Sequence, residues 1–219
     1  MTPILYQHPF ALYCWKPLIA LYERDVPFAS EIVEADRSIL AALWPPASIP
    51  ILVDDGVVVP ESSIIVERLD RHGDAPPLIP TDPDRAVQAR LWDRVADAYV
   101  ATPVQRIVGE ALRPVDAKDA HGVSQAHGTL DVAYATLDRQ LGSRDDTGWL
   151  AGEDFTLADC AAAPALHYAE VLHPLDRDLH PALATYCDRL LTRSSVARVV
   201  EEARPYRELF PLPWPEHVR

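Results

Sequence analysis

The sequence contains few residues of several types, and each shortage excludes a class of protein. Its 219 residues include three cysteines, Cys14, Cys160 and Cys187, too few and too widely spaced for a disulfide framework. We therefore expect a reducing, cytoplasmic location. No apolar run approaches the roughly 18 residues of a membrane span. The N-terminus lacks a basic segment followed by an apolar stretch, so we expect no signal peptide.

Basic side chains are also scarce. Lysine and arginine number 20 against 33 aspartates and glutamates, which gives a net charge of −13. This charge disfavours nucleic acid and anionic membranes as partners. The eight histidines form no His-x-x-His or His-Glu-x-x-His pair, and the eight glycines form no phosphate loop, so we expect neither a metal nor a nucleotide motif. The remaining composition is ordinary for one large or two small globular domains.

The first 75 or so residues mix strands and helices. Residues 4–6 read as a strand, and "YCWKPLIALYER" reads as a helix that must start near Tyr13 or Cys14 to tolerate Pro17. "VPFASEIVEA" predicts a second strand, and a short helix is expected around residues 39–43.

A hairpin and a helix complete this first part. "ILVDDGVVV" predicts two strands joined by a turn at Asp54-Asp55-Gly56, and the following helix ends near Gly73. The predicted order is β-α-β-α-β-β-α. Glu61 and Ser62 fall where the last strand meets the last helix, and the unpaired backbone N–H groups of a helix start can hold an anion.

The rest of the chain is helical. "GDAPPLIPTDPD" predicts a stiff, extended linker, and a long helix bent at Pro103 follows it. Further on, Thr156 and Asp159 have the spacing of a capping box, with aspartate in place of the usual Glu or Gln. We favour this structural interpretation of Asp159 over a chemical role.

Four segments together resemble the cytosolic glutathione transferases: "LYQHPFALYCWKPLIALYE", "IPILVDDGVVVPESSIIVERLD", "PLIPTDP" and "WLAGEDFTLADCAAAPAL". The resemblance covers nearly the whole chain. It implies an α/β thioredoxin-like, glutathione-binding domain at 1–75, a linker at 76–84 and an all-α helical domain at 85–219. It also implies a homodimer in which the long helix from Arg85 supplies much of an interface with an apolar centre.

The resemblance also implies where glutathione would bind. The Ile49–Pro50 bond would be cis and would present the backbone of Ile49 to the extended tripeptide. Glu61 would bind the γ-glutamyl ammonium, and Ser62 would hold the neighbouring carboxylate. Alternatively, Ser62 serves only to cap the helix. At Ser48 the family usually carries a longer side chain that reaches the glycyl carboxylate.

The catalytic position departs from the family pattern. Relatives stabilise the glutathione thiolate with a Ser, Tyr or Cys near the start of the first helix. Ala11 and Leu12, which occupy the serine positions, have no side-chain donor. Tyr13 and Cys14 are the candidate catalytic residues, and for each the alternative is a packing role in the core.

The resemblance also implies a pocket for the electrophilic substrate, which we call the acceptor pocket. The residues that would line it are Phe10, Tyr99, Pro103 and Arg106. Trp92 belongs either to the core or to a dimer contact, and the tail with Trp214 either covers the pocket or is loose.

The predicted activity is a glutathione-dependent transferase that attacks small apolar electrophiles with a thiolate. The alternatives are a weakly catalytic or non-catalytic ligand-binding protein, or a glutathione-dependent reductase or isomerase that uses Cys14.

Overall fold

The computed structural model describes residues 2–34, 36–143, 148–216 and 218. A four-stranded sheet lies in the first part of the chain, and the elements there follow the predicted order β-α-β-α-β-β-α. The strands are β1 (Ile4–Gln7), β2 (Ala29–Ile32), β3 (Ile51–Asp54) and β4 (Val57–Pro60). The helices among the described residues are α1 (Leu12–Glu23), α2 (Ser38–Leu43), α3 (Ser62–Leu69), α4 (Pro83–Val95), α5 (Thr102–Ala111), α6 (Ala120–Gly142), α7 (Leu157–Leu172), α8 (Pro181–Thr192) and α9 (Ser194–Ala203).

The sheet has the strand order β2-β1-β3-β4. β1 pairs parallel with β2 and antiparallel with β3, and β3 and β4 form the predicted hairpin. Asp54 pairs with Val57, so the loop contains only Asp55 and Gly56, with φ of 50° and 77°. Positive φ at both positions matches the type I′ turn, whose twist suits a hairpin.

The second strand is shorter and less buried than its sequence suggests. β2 is an edge strand, and all four of its residues are exposed. Buried Val26 precedes the strand and buried Val33 follows it. A strand is therefore confirmed within the predicted segment, but it covers only Ala29–Ile32 and excludes the two buried valines.

Helix α1 begins earlier than Pro17 was expected to allow. It starts at Leu12, which places Pro17 beyond the first turn, where the missing N–H costs a hydrogen bond to Tyr13. α1 packs against α3, α7 and α9, and nine of its twelve residues are buried. We infer that this burial offsets the lost bond.

The long helix after the linker is irregular before Pro103. α4 and α5 are joined by a π-helical segment, Ala96–Ala101, and the flanking residues keep helical dihedral angles. Pro103 cannot donate to the carbonyl of Tyr99, so regular α-helical bonding fails there. The wide π turns precede the proline and add one residue per hydrogen-bonded ring.

A buried capping box starts α7. The Thr156 hydroxyl accepts from the Ala158 N–H, and the Asp159 carboxylate accepts from the Thr156 N–H at 2.8 Å. Asp159 also accepts from the Leu150 N–H at 2.9 Å and the Tyr186 hydroxyl at 2.6 Å. Burial raises the pKa of Asp159, and these hydrogen bonds oppose the rise. The structure agrees with a structural role for this aspartate.

Arg24, at the end of α1, holds the segment that follows α3. Its buried guanidinium donates to the carbonyls of Leu69, His72, Ala75 and Pro76 over 2.5–3.2 Å. One side chain thus satisfies four backbone acceptors in a proline-rich stretch that makes few bonds of its own.

Asp70 and Leu78 extend this attachment. The Asp70 carboxylate accepts from the N–H groups of Leu78 and Ile79, each at 2.8 Å. The Leu78 carbonyl accepts from the N–H of Leu157, the first residue of α7.

Within the described residues, no helix is long and apolar enough to cross a membrane.

Candidate functional site

A cavity of about 740 Å³ lies between the start of α3 and the face of α4 with its π-helical extension. Its volume is within the range of small-molecule sites, roughly 300–1,000 Å³. The residues lining it are Tyr13, Ser48, Ile49, Pro50, Glu61, Ser62, Ser63, Ile64, Glu67, Arg90, Asp93, Arg94, Asp97, Ala98, Thr102 and Leu157. Five predicted site residues meet here: Tyr13, Ile49, Pro50, Glu61 and Ser62.

The Ile49–Pro50 peptide bond is cis and forms part of the cavity wall. Pro50 is buried and directly precedes β3, so this wall is continuous with the sheet. Ser48 also lines the cavity. Its short side chain leaves this edge without the long polar group that the family usually has.

Glu61 and Ser62 start α3. Glu61 occupies the N-cap position with φ 71° and ψ 121°, a conformation that costs a residue other than glycine about 1–3 kcal/mol. Its carboxylate makes no capping hydrogen bond and is exposed. Ser62 is the first helical residue and is 7% exposed. The N-cap is thus Glu61, and Ser62 lies where first-turn N–H groups are unpaired within a helix.

The two candidate catalytic residues have different surroundings. Tyr13 is half-buried and lines the cavity, and burial raises the pKa of its phenol although a hydrogen bond with Thr102 opposes the rise. Cys14 is fully buried, and burial raises the pKa of its thiol to about 12. A thiol without access to the cavity and without thiolate character is a core residue. The structure thus contradicts a catalytic role for Cys14.

The serine positions of the family contribute no side-chain donor. Ala11 is the N-cap of α1 and makes no side-chain hydrogen bond there, and Leu12 is buried. Neither residue lines the cavity.

Sequence reasoning missed a buried ion cluster behind this cavity. The Lys16 ammonium, 1% exposed, lies 2.7 Å from Asp93 Oδ1 and 2.7 Å from Asp97 Oδ2. It also donates to the Ser63 hydroxyl at 3.0 Å, and that hydroxyl donates to the Asp93 carboxylate. The cluster joins α1 to α3 and to the long helix. Three of its members, Ser63, Asp93 and Asp97, form part of the cavity wall.

The cluster carries one positive and two negative charges. Burial raises the pKa of Asp97, and Asp93 adds to the rise while Lys16 opposes it. A lysine inside the apolar run "YCWKPLIALY" and two aspartates four residues apart were the available signals. A charged residue on a buried helix face requires a partner of opposite charge.

None of the residues predicted for an acceptor pocket lines this cavity. Tyr99 is 54% exposed and Pro103 is buried. Arg106 pairs with Asp119 at 3.2 Å on the surface. Phe10 packs against Tyr168, Phe210 and Trp214, with ring centroids 5.6–6.0 Å apart.

The structure also shows the positions of two tryptophans for which the sequence left alternatives open. Trp92 is buried in the core. The C-terminal tail folds back, so that Trp214 packs on Phe10 and on His167 and lies outside the cavity.

In the described parts of the chain, no group of three or more His, Cys, Asp or Glu side chains is arranged to hold a metal ion.

Comparison with known proteins identifies the family. The sequence model for "Glutathione S-transferase, N-terminal domain" matches residues 5–77, and that for "Glutathione S-transferase, C-terminal domain" matches residues 105–189. A glutathione S-transferase of Methylobacterium radiotolerans, solved in complex with glutathione sulfonate, is 31% identical, with a TM-score of 0.79. The match covers 91% of this chain and 95% of that chain. The chain belongs to the glutathione S-transferase family. The predicted thioredoxin-like domain followed by a helical domain is the fold of this family.

Relatives within the family carry different names. A "Stringent starvation protein A homolog" of Histophilus somni is 27% identical over 198 residues, which are 89% of this chain and 88% of that protein. A "Probable maleylacetoacetate isomerase" of Caenorhabditis elegans is 27% identical over 186 residues, 83% of this chain and 85% of that protein. Glutathione S-transferase family members thus include transferases, isomerases and starvation proteins, and the reaction has to be argued from the site.

Proposed function

We propose that this protein is a glutathione-dependent transferase that attacks small apolar electrophiles with the thiolate of glutathione. The sulfur forms a bond to an electrophilic carbon, and the displaced group leaves with its electron pair. The observation that carries the proposal is the meeting of Tyr13, Ile49, Glu61 and Ser62 at one cavity. The 31% identical relative crystallised with glutathione sulfonate supports the same ligand.

Glutathione would lie along the edge formed by Ile49 and the start of α3. The exposed Glu61 carboxylate is placed to bind an ammonium group. The Ser62 N–H and hydroxyl, at the start of an eight-residue helix, would bind the adjacent carboxylate. The two charged groups on the α-carbon of the γ-glutamyl residue would thus meet groups of opposite charge or matching hydrogen-bonding capacity.

Glu61→Gln and Ser62→Ala are each expected to weaken glutathione binding by about 1–3 kcal/mol, because each removes a partner of a charged group. Calorimetric titration measures the affinity. Glu67→Gln is the matched control, since Glu67 lines the same cavity but pairs with Arg90 at its exposed rim. Unchanged affinity in both test variants, with folding intact, would remove the site assignment.

Tyr13 is the side chain that would stabilise the thiolate. The raised pKa keeps its phenol protonated at neutral pH, so it can donate a hydrogen bond to sulfur. A glutathione thiol has a pKa somewhat above 8, and lowering it by about two units requires roughly 2.7 kcal/mol. One hydrogen bond to a charged group contributes about 1.5–3 kcal/mol.

Tyr13→Phe is expected to raise the pKa of bound glutathione by about one to two units and to reduce turnover at neutral pH. Ground-state affinity should change little, because the bond strengthens only when the thiolate forms. The absorbance of the thiolate, followed against pH, measures the pKa of bound glutathione. Steady-state kinetics measures the turnover. Cys14→Ser is the neighbouring control and should leave the thiolate pKa unchanged. An unaltered pKa in Tyr13→Phe would assign the stabilisation to the α1 backbone.

A second candidate function is glutathione binding with little turnover. The observation that favours it is Ala11 at the N-cap of α1, where no side chain donates. Ala11→Ser separates the two candidates: a large gain in conjugation would favour an otherwise weak catalyst, and no gain would favour a binding protein.

A further inference from the structure

A second cavity, of about 370 Å³, lies within the helical part of the chain between α7, α8 and α9. Its apolar wall includes Leu166, Leu190, Val196 and Val218. None of its lining residues lines the glutathione cavity. An engineered apolar cavity of roughly 150 Å³ is already large enough to bind benzene. This cavity therefore has room for a benzene ring that carries a short alkyl chain.

His167 gives the cavity a polar group. Its imidazole is 7% exposed, lines the cavity, and forms no hydrogen bond with any described residue. Its ring nitrogens are accessible from the cavity and are not sealed in the core. A ligand in the cavity can therefore form a hydrogen bond with this imidazole.

Ring contacts hold the imidazole in place. Its centroid is 5.0 Å from that of Trp15, 5.8 Å from that of Trp214 and 5.7 Å from that of Tyr168. Burial lowers its pKa to about 3, with the Arg207 charge adding to the effect, so the ring is neutral at physiological pH. A neutral imidazole offers one donor and one acceptor.

The charges around the cavity disfavour an ionic ligand. Among the lining residues that the structure describes, the basic side chain is Arg177, and it pairs with Asp188 at 2.5 Å. Glu170, a second acidic residue, accepts from the Leu175 N–H. An anion would meet two carboxylates and an already paired guanidinium. A cation would lose its hydration in an apolar wall beside a neutral imidazole.

We propose that this cavity is a second binding site, for a small apolar molecule that bears one hydroxyl group, such as an alkylphenol. A hydroxyl can donate or accept, so it can form a hydrogen bond with whichever nitrogen of neutral His167 faces the cavity. The alkyl and ring carbons occupy the leucine and valine wall. The site is independent of the glutathione chemistry proposed above.

The test compares 4-propylphenol with propylbenzene, which has the same shape but lacks the hydroxyl. Trp15 and Trp214, whose rings contact His167, report binding by their fluorescence. Calorimetry gives the stoichiometry. We expect one saturable site that binds the phenol about three- to tenfold more tightly, the value of one hydrogen bond. Saturating glutathione should leave both affinities unchanged.

Variants locate the site. His167→Phe should bind both compounds equally, and His167→Gln, which keeps a donor and an acceptor, should retain the preference for the phenol. Leu191 is half-buried and lines the cavity, so Leu191→Trp would fill the space that the compounds occupy. The binding of both compounds should weaken at least about tenfold. If His167→Phe does not fold, His167→Gln and Leu191→Trp still decide the matter.

Three results would overturn the proposal. They are the absence of saturable binding, equal affinity of the unmodified protein for the two compounds, and displacement of the phenol by glutathione. Full retention of binding in folded Leu191→Trp would also contradict it, because the ligand would then lie elsewhere.

Discussion

Lys16→Met is expected to destabilise the protein by about 3–5 kcal/mol, because it leaves the buried Asp93 and Asp97 carboxylates without their cation. The cluster is largely buried: Lys16 is 1% exposed, and the side chains of Asp93 and Asp97 are 3% and 13% exposed. Urea unfolding followed by circular dichroism measures the loss. Lys118→Met is the matched control, since it replaces the only other lysine of the sequence, an exposed one. It should change the free energy of unfolding by no more than about 0.5 kcal/mol.

A substitution that removes one of the two negative charges separates the effect of charge from the effect of packing. Asp97→Asn leaves one ammonium with one carboxylate and keeps an oxygen that can accept from Lys16. It should change stability by no more than about 1 kcal/mol, because the raised pKa of Asp97 already shows that its charge is disfavoured. An equal loss in Lys16→Met and Asp97→Asn would show that each ion pair contributes to stability and that the net charge left in the cluster does not decide the loss.

Asp159→Ala is expected to cost about 3–5 kcal/mol, because four buried donors lose their acceptor together. These donors are the N–H groups of Leu150 and Thr156 and the hydroxyls of Thr156 and Tyr186. Thermal and urea unfolding of the purified variant measure the change. The variant also loses half of the α7 capping box, so the start of that helix should exchange its amide hydrogens faster.

Two further variants make this prediction specific. Tyr186→Phe removes one donor and should cost about 1–2 kcal/mol. Asp154→Ala removes an exposed carboxylate that pairs with Arg85 on the surface, and it should cost no more than about 1 kcal/mol. A loss in Asp159→Ala as small as that in Asp154→Ala would contradict the role assigned to the buried network.

Local signals made much of the first part of the chain predictable. The Asp55-Gly56 turn sets the hairpin register, and the change from strand to helix at Glu61 follows from the spacing of apolar residues. The capping residues Thr156 and Asp159 likewise act within one turn of helix. Such features depend on neighbours in the sequence, so they can be predicted from it.

The part of the long helix that lines the cavity could not be predicted by the same reasoning, because the helix contains a π-helical segment. Tyr99, Pro103 and Arg106 share a face only if the helix keeps 3.6 residues per turn. The wider turns of Ala96–Ala101 change that phase, and this part of the helix lines the cavity with Asp97, Ala98 and Thr102. Periodicity from the sequence carries no signal of this shift.

The ion cluster was missed for a different reason. Lys16 and Asp97 are 81 residues apart in sequence, and they meet because the Lys16 side chain reaches from α1 to the long helix. A charge on an apolar helix face indicates that a partner exists. Which residue supplies it depends on tertiary packing, and pattern reasoning within single elements does not provide that information.

The attachment of the linker by Arg24 has a consequence for the kinetics of ligand entry. With four carbonyls bonded to one guanidinium, and with Leu78 bonded to the first residue of α7, the linker is attached to both α1 and α7. We therefore expect the walls of the cavity at Tyr13 and Glu61 to keep a fixed separation. A ligand then enters without a closing movement. Stopped-flow traces should show a single phase whose observed rate rises in proportion to glutathione concentration, without the plateau that a slow conformational step imposes.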